Sequence, residues 1–164
     1  MQRIVFGALA GLAATMVMTG AMRHLFGQVG PENRYPLPPR EITERVVPAG
    51  QEAHLQTGTM LAHFGYGALA GAIFALLPLP RMSGVPYGIA VWALSYLGWI
   101  PAVGILKPAT RHPRERNLLM LAAHFVWGAA LEAGLRELES SAQEIFAGRP
   151  LRDVRRGPDI GEQR

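Results

Sequence analysis

Residues 4–22 read IVFGALAGLAATMVMTGAM and contain no charged side chain. A helix needs about 20 mostly apolar residues to cross the hydrocarbon core of a bilayer, and this segment has that length. Because the backbone must satisfy its own hydrogen bonds in hydrocarbon, the segment is predicted to be a helix rather than an irregular run. The same criteria select residues 59–79, 85–106 and 117–135 as three further membrane helices.

The composition supports membership of the membrane class. Apolar residues make up 49% of the 164 residues and charged residues 17%, below the roughly 25% charged residues of an ordinary soluble domain. The charged residues lie between the apolar segments rather than inside them. We therefore predict an all-α fold, an integral membrane four-helix bundle over residues 1–135, followed by a charged, partly disordered tail over residues 136–164.

The connections between the four segments differ in length and chemistry. Residues 23–58 are a polar loop that contains Pro-Leu-Pro-Pro at 36–39, which favours extended backbone. The residues that follow, 40–47, are predicted to form a short amphipathic helix at the membrane surface. The connection near residues 80–84 is tight, which makes the second and third segments an antiparallel hairpin, and the connection over 107–116 is short and basic.

Two aspects of the topology have alternatives. The first segment could be a cleaved signal peptide, because Thr19-Gly20-Ala21 loosely imitates a cleavage site. Its apolar run is longer than that of a usual signal peptide, so we expect it to belong to the bundle. Orientation follows from the arginines and lysines near the segment ends, but eight fall on each side, and the count predicts no orientation.

An internal repeat relates the two halves of the predicted bundle. Residues 62–68, AHFGYGA, match residues 123–129, AHFVWGA, and the preceding loops share Pro-Arg-Glu at 39–41 and 113–115. We interpret this as two hairpins related by a pseudo-twofold axis along the membrane normal, as in some transport proteins; the alternative is chance recurrence of small and aromatic residues. A weaker match joins the starts of the first and third segments: Phe6-Gly7 and Tyr87-Gly88.

Small residues recur one turn apart in the apolar segments. The string Gly-Ala-Leu-Ala-Gly occurs in both the first and the second segment. This spacing allows two helix backbones to approach closely, within a chain or between chains. The glycines predicted to pack helix on helix are Gly7, Gly11, Gly67, Gly71 and Gly128.

Two histidines lie inside the predicted membrane helices. His63 and His124 occupy matching positions of the repeat, so we expect both to enter from the same membrane face at similar depth. Ionisable groups inside a membrane are costly and usually face the bundle interior or water. Two neutral imidazoles could ligate one haem b iron, with Gly67 and Gly128 leaving room for the macrocycle. The alternatives are a proton relay, or a bond from each imidazole to a nearby carbonyl or hydroxyl such as that of Ser95 or Tyr96.

Glu132 is the one acidic residue in the four segments. It follows His124 by eight residues, so both lie on one face of the fourth helix, and such a line could conduct protons. Arg136 lies one turn further on, and an interfacial Glu132–Arg136 pair is the favoured interpretation.

Basic residues flank the apolar segments and give a net charge of +4. This placement favours the lipid bilayer over nucleic acid as the partner. The arginines could bind a phosphate or lipid headgroup, or pair with Glu41 or Glu44 of the repeat-related loop. The arginines concerned are Arg40, Arg111, Arg114 and Arg116.

The sequence carries no catalytic pattern. The chain has no cysteine, which excludes disulfides, thiolate catalysis and thiolate metal sites. We find no nucleophile triad, phosphate-cradling loop or metal-binding carboxylate cluster. We therefore predict no enzymatic activity, no metal site and no cofactor, with haem b as the one alternative.

The segments together resemble a known group. Leu-Pro-Pro-Arg at 37–40, the histidine of the second segment, Tyr87-Gly88 and His124-x-x-Trp127 resemble YagU-like small bacterial inner-membrane proteins of unknown function. The resemblance extends over most of residues 1–135. It implies a bacterial inner (cytoplasmic) membrane location and about four helices, and it provides no catalytic residues.

Three functions are consistent with these features. The leading one is a non-enzymatic accessory or structural membrane subunit, in a homo-oligomer or a larger membrane complex. The second is a b-type haem electron-transfer protein that uses His63 and His124. The third is a small transporter or channel that acts as an oligomer. The residues that could line its path are His63, His124, Glu132, Thr15 and Ser95.

Overall fold

The computed structural model describes residues 1–30, 36–47, 52–78 and 83–145. These residues form helices joined by short connections, and the described ranges contain no strand. In chain order the α-helices are α1 (Gln2–Gln28), α2 (Pro38–Val46), α3 (Glu52–Leu76), α4 (Gly84–Ala93), α5 (Ile100–Ala102) and α6 (Arg114–Glu144). A π-helical segment, Leu94–Trp99, joins α4 to α5, and a 3-10 turn, Ala109–Arg111, precedes α6.

Three helices, α1, α3 and α6, are long and apolar enough to cross a membrane. They contain 27, 25 and 31 residues, so at 1.5 Å per residue each exceeds the ~30 Å of a hydrocarbon core. The prediction of an all-α chain with membrane-compatible helices is confirmed. The third predicted segment has a different structure.

The segment predicted as one helix over residues 85–106 is broken. Gly98 has non-helical dihedral angles (φ −106°, ψ −105°) within the π-helical segment, and the helical backbone ends at Ala102. Pro101 lacks an N–H and its ring crowds the carbonyl of the preceding turn, while a π-helical turn accommodates an extra residue. The chain then turns at Gly104, whose φ of 75° favours glycine.

The other predicted boundaries also shift, because hydropathy marks the apolar part of a helix and not its ends. The polar loop predicted over 23–58 is helical at both edges, since α1 continues to Gln28 and α3 begins at Glu52. The predicted surface helix is α2, which begins at Pro38, a residue suited to a first turn. The predicted tail is helical up to Glu144, and residues 146–164 lie outside the described ranges.

Close backbone contacts between antiparallel helices build the bundle. In the α1–α3 pair, Gly11 lies against Gly67, and a Cβ on Gly7 would come within 2.6 Å of the Cβ of Ala75. In the α4–α6 pair, Gly84 lies against the Gly128 carbonyl. The predicted glycines are therefore at helix contacts within the chain, where any larger residue would force the backbones apart.

The register of these contacts differs from that of the weaker sequence match. Gly11 faces Gly67, and Gly84 faces Gly128, the residue that matches Gly67 in the sequence. If the two hairpins are a repeat, Gly84 would correspond to Gly11, which lies 73 residues earlier. The match of Gly7 with Gly88 spans 81 residues. The pairing of Phe6-Gly7 with Tyr87-Gly88 is therefore out of register by eight residues, about two turns.

The two halves also pack asymmetrically. Helix α1 runs antiparallel along α6, with Arg3 bonded to Glu139 at 2.8 Å and Trp127 bonded to Thr15 at 3.1 Å. Helix α3 meets the α4 region through long side chains instead, such as the Tyr87 hydroxyl that donates to the Ala70 carbonyl at 2.7 Å. A strict twofold axis would make these contacts equal, and their difference leaves a gap beside α3.

We expect Gly11→Ala to lower the free energy of unfolding by about 1–3 kcal/mol, because its Cβ would overlap the α3 backbone. The matched control is Gly20→Ala in the same helix, where no atom lies within 4 Å of the added Cβ. That control should be neutral or stabilising by about 0.5–1 kcal/mol. Thermal unfolding in detergent, followed by circular dichroism, compares the two, and equal effects would contradict the contact.

Candidate functional site

A cavity of about 250 Å³ occupies the gap beside α3. It is bordered by α1, α3, α6 and the π-helical segment, and α2 covers one end of it through Pro38 and Ile42. We call it the bundle cavity. It contains both predicted intramembrane histidines, His63 and His124.

His124 is oriented by its own helix. Its Nδ1 lies 2.8 Å from the Met120 carbonyl, one turn earlier in α6. A carbonyl accepts and cannot donate, so Nδ1 carries the proton in this bond. In the neutral imidazole Nε2 then holds a lone pair, and the bundle cavity has a hydrogen-bond acceptor at this position.

His63 takes the opposite tautomer. The Thr19 hydroxyl donates to the Thr15 carbonyl at 2.7 Å, so its oxygen is the acceptor for His63 Nε2, which lies 3.4 Å away. The two histidines therefore bond neighbouring groups, as one of the interpretations from the sequence expected, although their partners are not Ser95 or Tyr96.

Thr15 joins three helices at the inner wall of the bundle cavity. Its hydroxyl donates to the Gly11 carbonyl at 2.7 Å and accepts from the Trp127 indole at 3.1 Å. Gly67 of α3 lies against the same side chain. Because Thr15 is fully buried, these bonds fix α6 against the α1–α3 pair.

The outer wall of the bundle cavity has an aromatic mouth. The Tyr66 hydroxyl lies 2.8 Å from the Ser95 hydroxyl, which bridges α3 to the π-helical segment. The Tyr66 ring lies 6.4 Å from that of Trp99. Tyr66 is 41% exposed and Trp99 is 45% exposed, so the bundle cavity reaches the outer surface of the bundle beside these two packed rings.

A buried arginine fastens α2 to the bundle. Arg116, whose side chain is 5% exposed, donates to Glu41 of α2 at 2.6 Å and to the Tyr96 hydroxyl at 3.0 Å. Burying a charge is costly unless it is paired and hydrogen-bonded, and these contacts provide both. The sequence allowed either a headgroup contact or a pair with Glu41 or Glu44, and in the structure Arg116 pairs with Glu41.

Further ion pairs reinforce the position of α2. Arg40 binds Glu52 of α3 through two bonds of 2.8 and 2.6 Å and Glu44 at 2.6 Å. The hydrogen bonds to these two carboxylates raise the pKa of the Arg40 guanidinium above its usual range, and the bond to Glu52 has the larger effect. Arg45 donates to the Ile105 carbonyl at 2.8 Å.

Arg111 and Arg114 are exposed at the same end of the bundle. A headgroup contact at these two side chains stays a prediction.

Glu132 lies at the opposite end of the bundle, in a separate polar recess. It accepts from Arg136 at 2.9 Å, the predicted pair, and from the Gly84 backbone N–H at 2.9 Å. The second bond satisfies a free N–H at the start of α4, where a negative charge is also favoured by the helix dipole. Glu132 is not among the residues that line the bundle cavity.

The bundle cavity does not fit haem b. Gly67 and Gly128 were predicted to leave room for the macrocycle. The space in front of them is occupied by the backbone of Gly11 and of Gly84. The volume of about 250 Å³ is below the ~300–1,000 Å³ of pockets for drug-sized ligands.

The sequence did not single out Tyr66 and Trp99 as the mouth of a site, and it considered the Tyr96 hydroxyl only as a partner for a histidine. A signal exists for Tyr66, since it is the aromatic residue of the first repeat, matched by Trp127 in the second. The two diverge in role: Trp127 points to Thr15 and is buried, whereas Tyr66 points to Ser95 and stays half-exposed. Sequence similarity alone does not distinguish these orientations.

Comparison with protein-family models, curated proteins and solved structures found no match to this chain. The resemblance to YagU-like proteins therefore stays a prediction. The function has to be argued from the bundle cavity and the surfaces around it.

We expect Glu41→Gln to lower the free energy of unfolding by about 3 kcal/mol, because it leaves the charge of Arg116 buried without its carboxylate. The matched control is Glu44→Gln in the same helix, whose exposed pair with Arg40 should contribute less than about 1 kcal/mol. Denaturant unfolding of the detergent-solubilised protein measures both. A Glu41 effect no larger than that of Glu44 would contradict the anchoring role of the pair.

Proposed function

We propose that this chain is an integral membrane protein with four helical crossings, and that it acts as a non-enzymatic accessory or structural membrane subunit. The observation that carries the proposal is the distribution of side-chain size. Large apolar residues on α1, α3 and α6 face outward, whereas the closest helix contacts are made by glycines, alongside buried alanine, threonine, methionine, leucine and aromatic side chains. Examples of the outward residues are Met16, Val17, Leu61, Leu69, Leu118 and Phe125.

This distribution suits lipid as the solvent of the outer surface. In water, contiguous exposed apolar patches on monomers rarely exceed a few hundred Å². In a bilayer, large side chains contact the acyl chains, and small residues allow the backbones to pack closely. The proposed bilayer is the bacterial inner membrane, on the strength of the resemblance alone.

The fourth crossing is the broken segment. A continuous α-helix over residues 84–102 would rise roughly 28 Å at 1.5 Å per residue, close to the thickness of a hydrocarbon core, and the π-helical turns make this segment somewhat shorter. Ser83 lies at the Arg3 end of the bundle, near Glu132 and Arg136, and Ala109–Arg111 lies at the α2 end. The close contacts of Gly67 and Gly128 with α1 and α4 also support two related hairpins, now with Gly84 in the place of Gly11.

The non-enzymatic role is supported by how the polar groups are used. Two hydrogen bonds join helices: Trp127 binds Thr15, and Tyr66 binds Ser95. Such bonds are expected of residues that hold a bundle together. The exposed apolar face of α3, and the exposed charges at both ends, would contact lipid or other subunits.

A small transporter is a second candidate, and one observation favours it. The broken helix borders the bundle cavity through Ser95 and Ile100, and discontinuous helices near the midplane are typical of transporter binding sites. Of the path residues considered from the sequence, His63, His124, Thr15 and Ser95 line the bundle cavity, and Glu132 lies outside it.

Single-cysteine labelling tests the four crossings, and the chain needs no prior substitution because it has no cysteine. We expect a membrane-impermeant maleimide to label Gln2→Cys, Ser83→Cys and Gln143→Cys from one side of sealed vesicles, and Gln28→Cys and Thr110→Cys from the other. Labelling of Ser83→Cys and Thr110→Cys from the same side would contradict the fourth crossing.

The lipid-facing control for this labelling is Met16→Cys, an exposed position in the middle of α1. We expect it to resist the impermeant reagent from both sides until the membrane is dissolved. Rapid labelling of Met16→Cys in sealed vesicles would contradict a crossing by α1.

The subunit role predicts assembly. We expect the chain, extracted from its native membrane in mild detergent, to have a protein mass of at least twice 17.8 kDa by light scattering combined with size exclusion. The apolar outer face of α3 gives the physical reason, since large residues there are free to contact a neighbour. A protein mass equal to one chain at all protein concentrations would contradict this role.

A further inference from the structure

We propose that the bundle cavity binds a neutral, lipid-soluble molecule with an apolar body and one hydroxyl group, that is, an alcohol or a phenol. The inference rests on the proposed membrane location, because the ligand would reach the mouth from the bilayer. It concerns a site that the structural role of the protein does not require. Three properties of the bundle cavity lead to it: its charge, its size and its hydrogen-bonding groups.

The bundle cavity selects against charged ligands. None of its described lining residues is an aspartate, glutamate, lysine or arginine. Moving an unpaired ion out of water costs many kcal/mol, and no charged side chain is present in the lining to compensate. Most of the wall is apolar, with Met18, Ile42, Val91 and Ile100 as typical members, so the body of the ligand should be apolar too.

The volume sets the size of the ligand. A cavity of about 250 Å³ exceeds the ~150 Å³ engineered cavity that binds benzene in a well-studied lysozyme. The bundle cavity therefore has room for one substituted ring or a short branched chain. A longer acyl or isoprenoid tail would have to leave through the mouth.

The polar groups of the wall match a hydroxyl. His124 Nε2 offers an acceptor, because Nδ1 is bonded to the Met120 carbonyl. Tyr66 and Ser95 share one bond, and since each hydroxyl has one proton, the pair retains a second proton to donate. One acceptor and one donor are what a hydroxyl group can satisfy, whereas a ketone or ether would leave the histidine unpaired.

The route of entry points to the lipid phase. At the α2 end, Pro38 and Ile42 close the bundle cavity, and the Arg116–Glu41 pair holds that helix in place. The mouth lies beside the packed and exposed rings of Tyr66 and Trp99, on the outer face of the bundle. A molecule dissolved in the bilayer meets this mouth directly, whereas one dissolved in water would first have to displace α2.

A pair of bromoaromatic probes tests the proposal. 4-Bromophenol and bromobenzene differ by one hydroxyl, both are neutral at pH 7, and bromine quenches the fluorescence of nearby tryptophans such as Trp99 and Trp127. The full chain is titrated in lipid nanodiscs, and empty nanodiscs correct for partitioning. We expect 4-bromophenol to bind about five- to tenfold more tightly than bromobenzene, the effect of about one hydrogen bond.

Three variants locate the effect. In His124→Phe the two probes should bind with about equal affinity, and bromobenzene should still bind. The same substitution at His54, which is exposed at the start of α3, should leave the preference unchanged. Ala62→Phe places a ring at the cavity wall and should abolish saturable quenching by both probes, with α-helical circular dichroism confirming that the variant folds.

Two results would overturn the proposal. Equal affinity of the unchanged chain for both probes would mean that the cavity does not recognise a hydroxyl. Quenching that persists in Ala62→Phe would mean that the probes bind elsewhere. A failure of the proposed membrane role is distinguishable, because it would appear as labelling of Met16→Cys from water, whereas an empty cavity in a protein that crosses the membrane leaves the labelling pattern intact.

Discussion

The close contact of α1 with α3, where Gly11 lies against Gly67, is the constraint on which the rest of the bundle depends. It brings Thr15 into the interior, where its hydroxyl receives the Trp127 indole and so fixes α6. In the proposed bilayer there would be little hydrophobic force between helices, so close packing and buried hydrogen bonds would supply the association energy. A single methyl group at Gly11 would push the α1 and α3 backbones apart. It would therefore also displace Thr15 and the indole that Thr15 binds.

The segment from α4 to α5, unlike α1, does not pack closely on a neighbouring helix along its whole length. Gly84 and Gly88 pack closely on α6, but the backbone departs from helical geometry at Gly98. The α3 side of this segment is therefore bridged by side chains, Tyr66 to Ser95 and Tyr87 to Ala70. The bundle cavity is the space that remains, and its size follows from the asymmetry between the two halves.

The charged residues divide into two groups that stabilise opposite ends of the bundle. At one end Arg116 and Arg40 attach α2 to α6 and α3 through Glu41 and Glu52. At the other, Glu132 holds the start of α4 and the side chain of Arg136. The walls between them contain histidines and hydroxyls but no described charge. This arrangement keeps these charged residues at the two ends of the bundle and away from the bundle cavity.

The amino-acid sequence by itself determined the all-helical class, the apolar segments, the glycine contacts and the position of the two histidines, because these depend on local composition and on helical spacing. It did not determine that residues 85–106 break near Gly98, since the break depends on packing on both sides of the chain. It also could not distinguish Tyr66 from Trp127, which match in the repeat, because their orientation follows from which helix lies opposite. The tertiary structure decided these points, together with the pairing of Arg116 with Glu41, 75 residues away, since contacts between distant residues depend on how the helices pack.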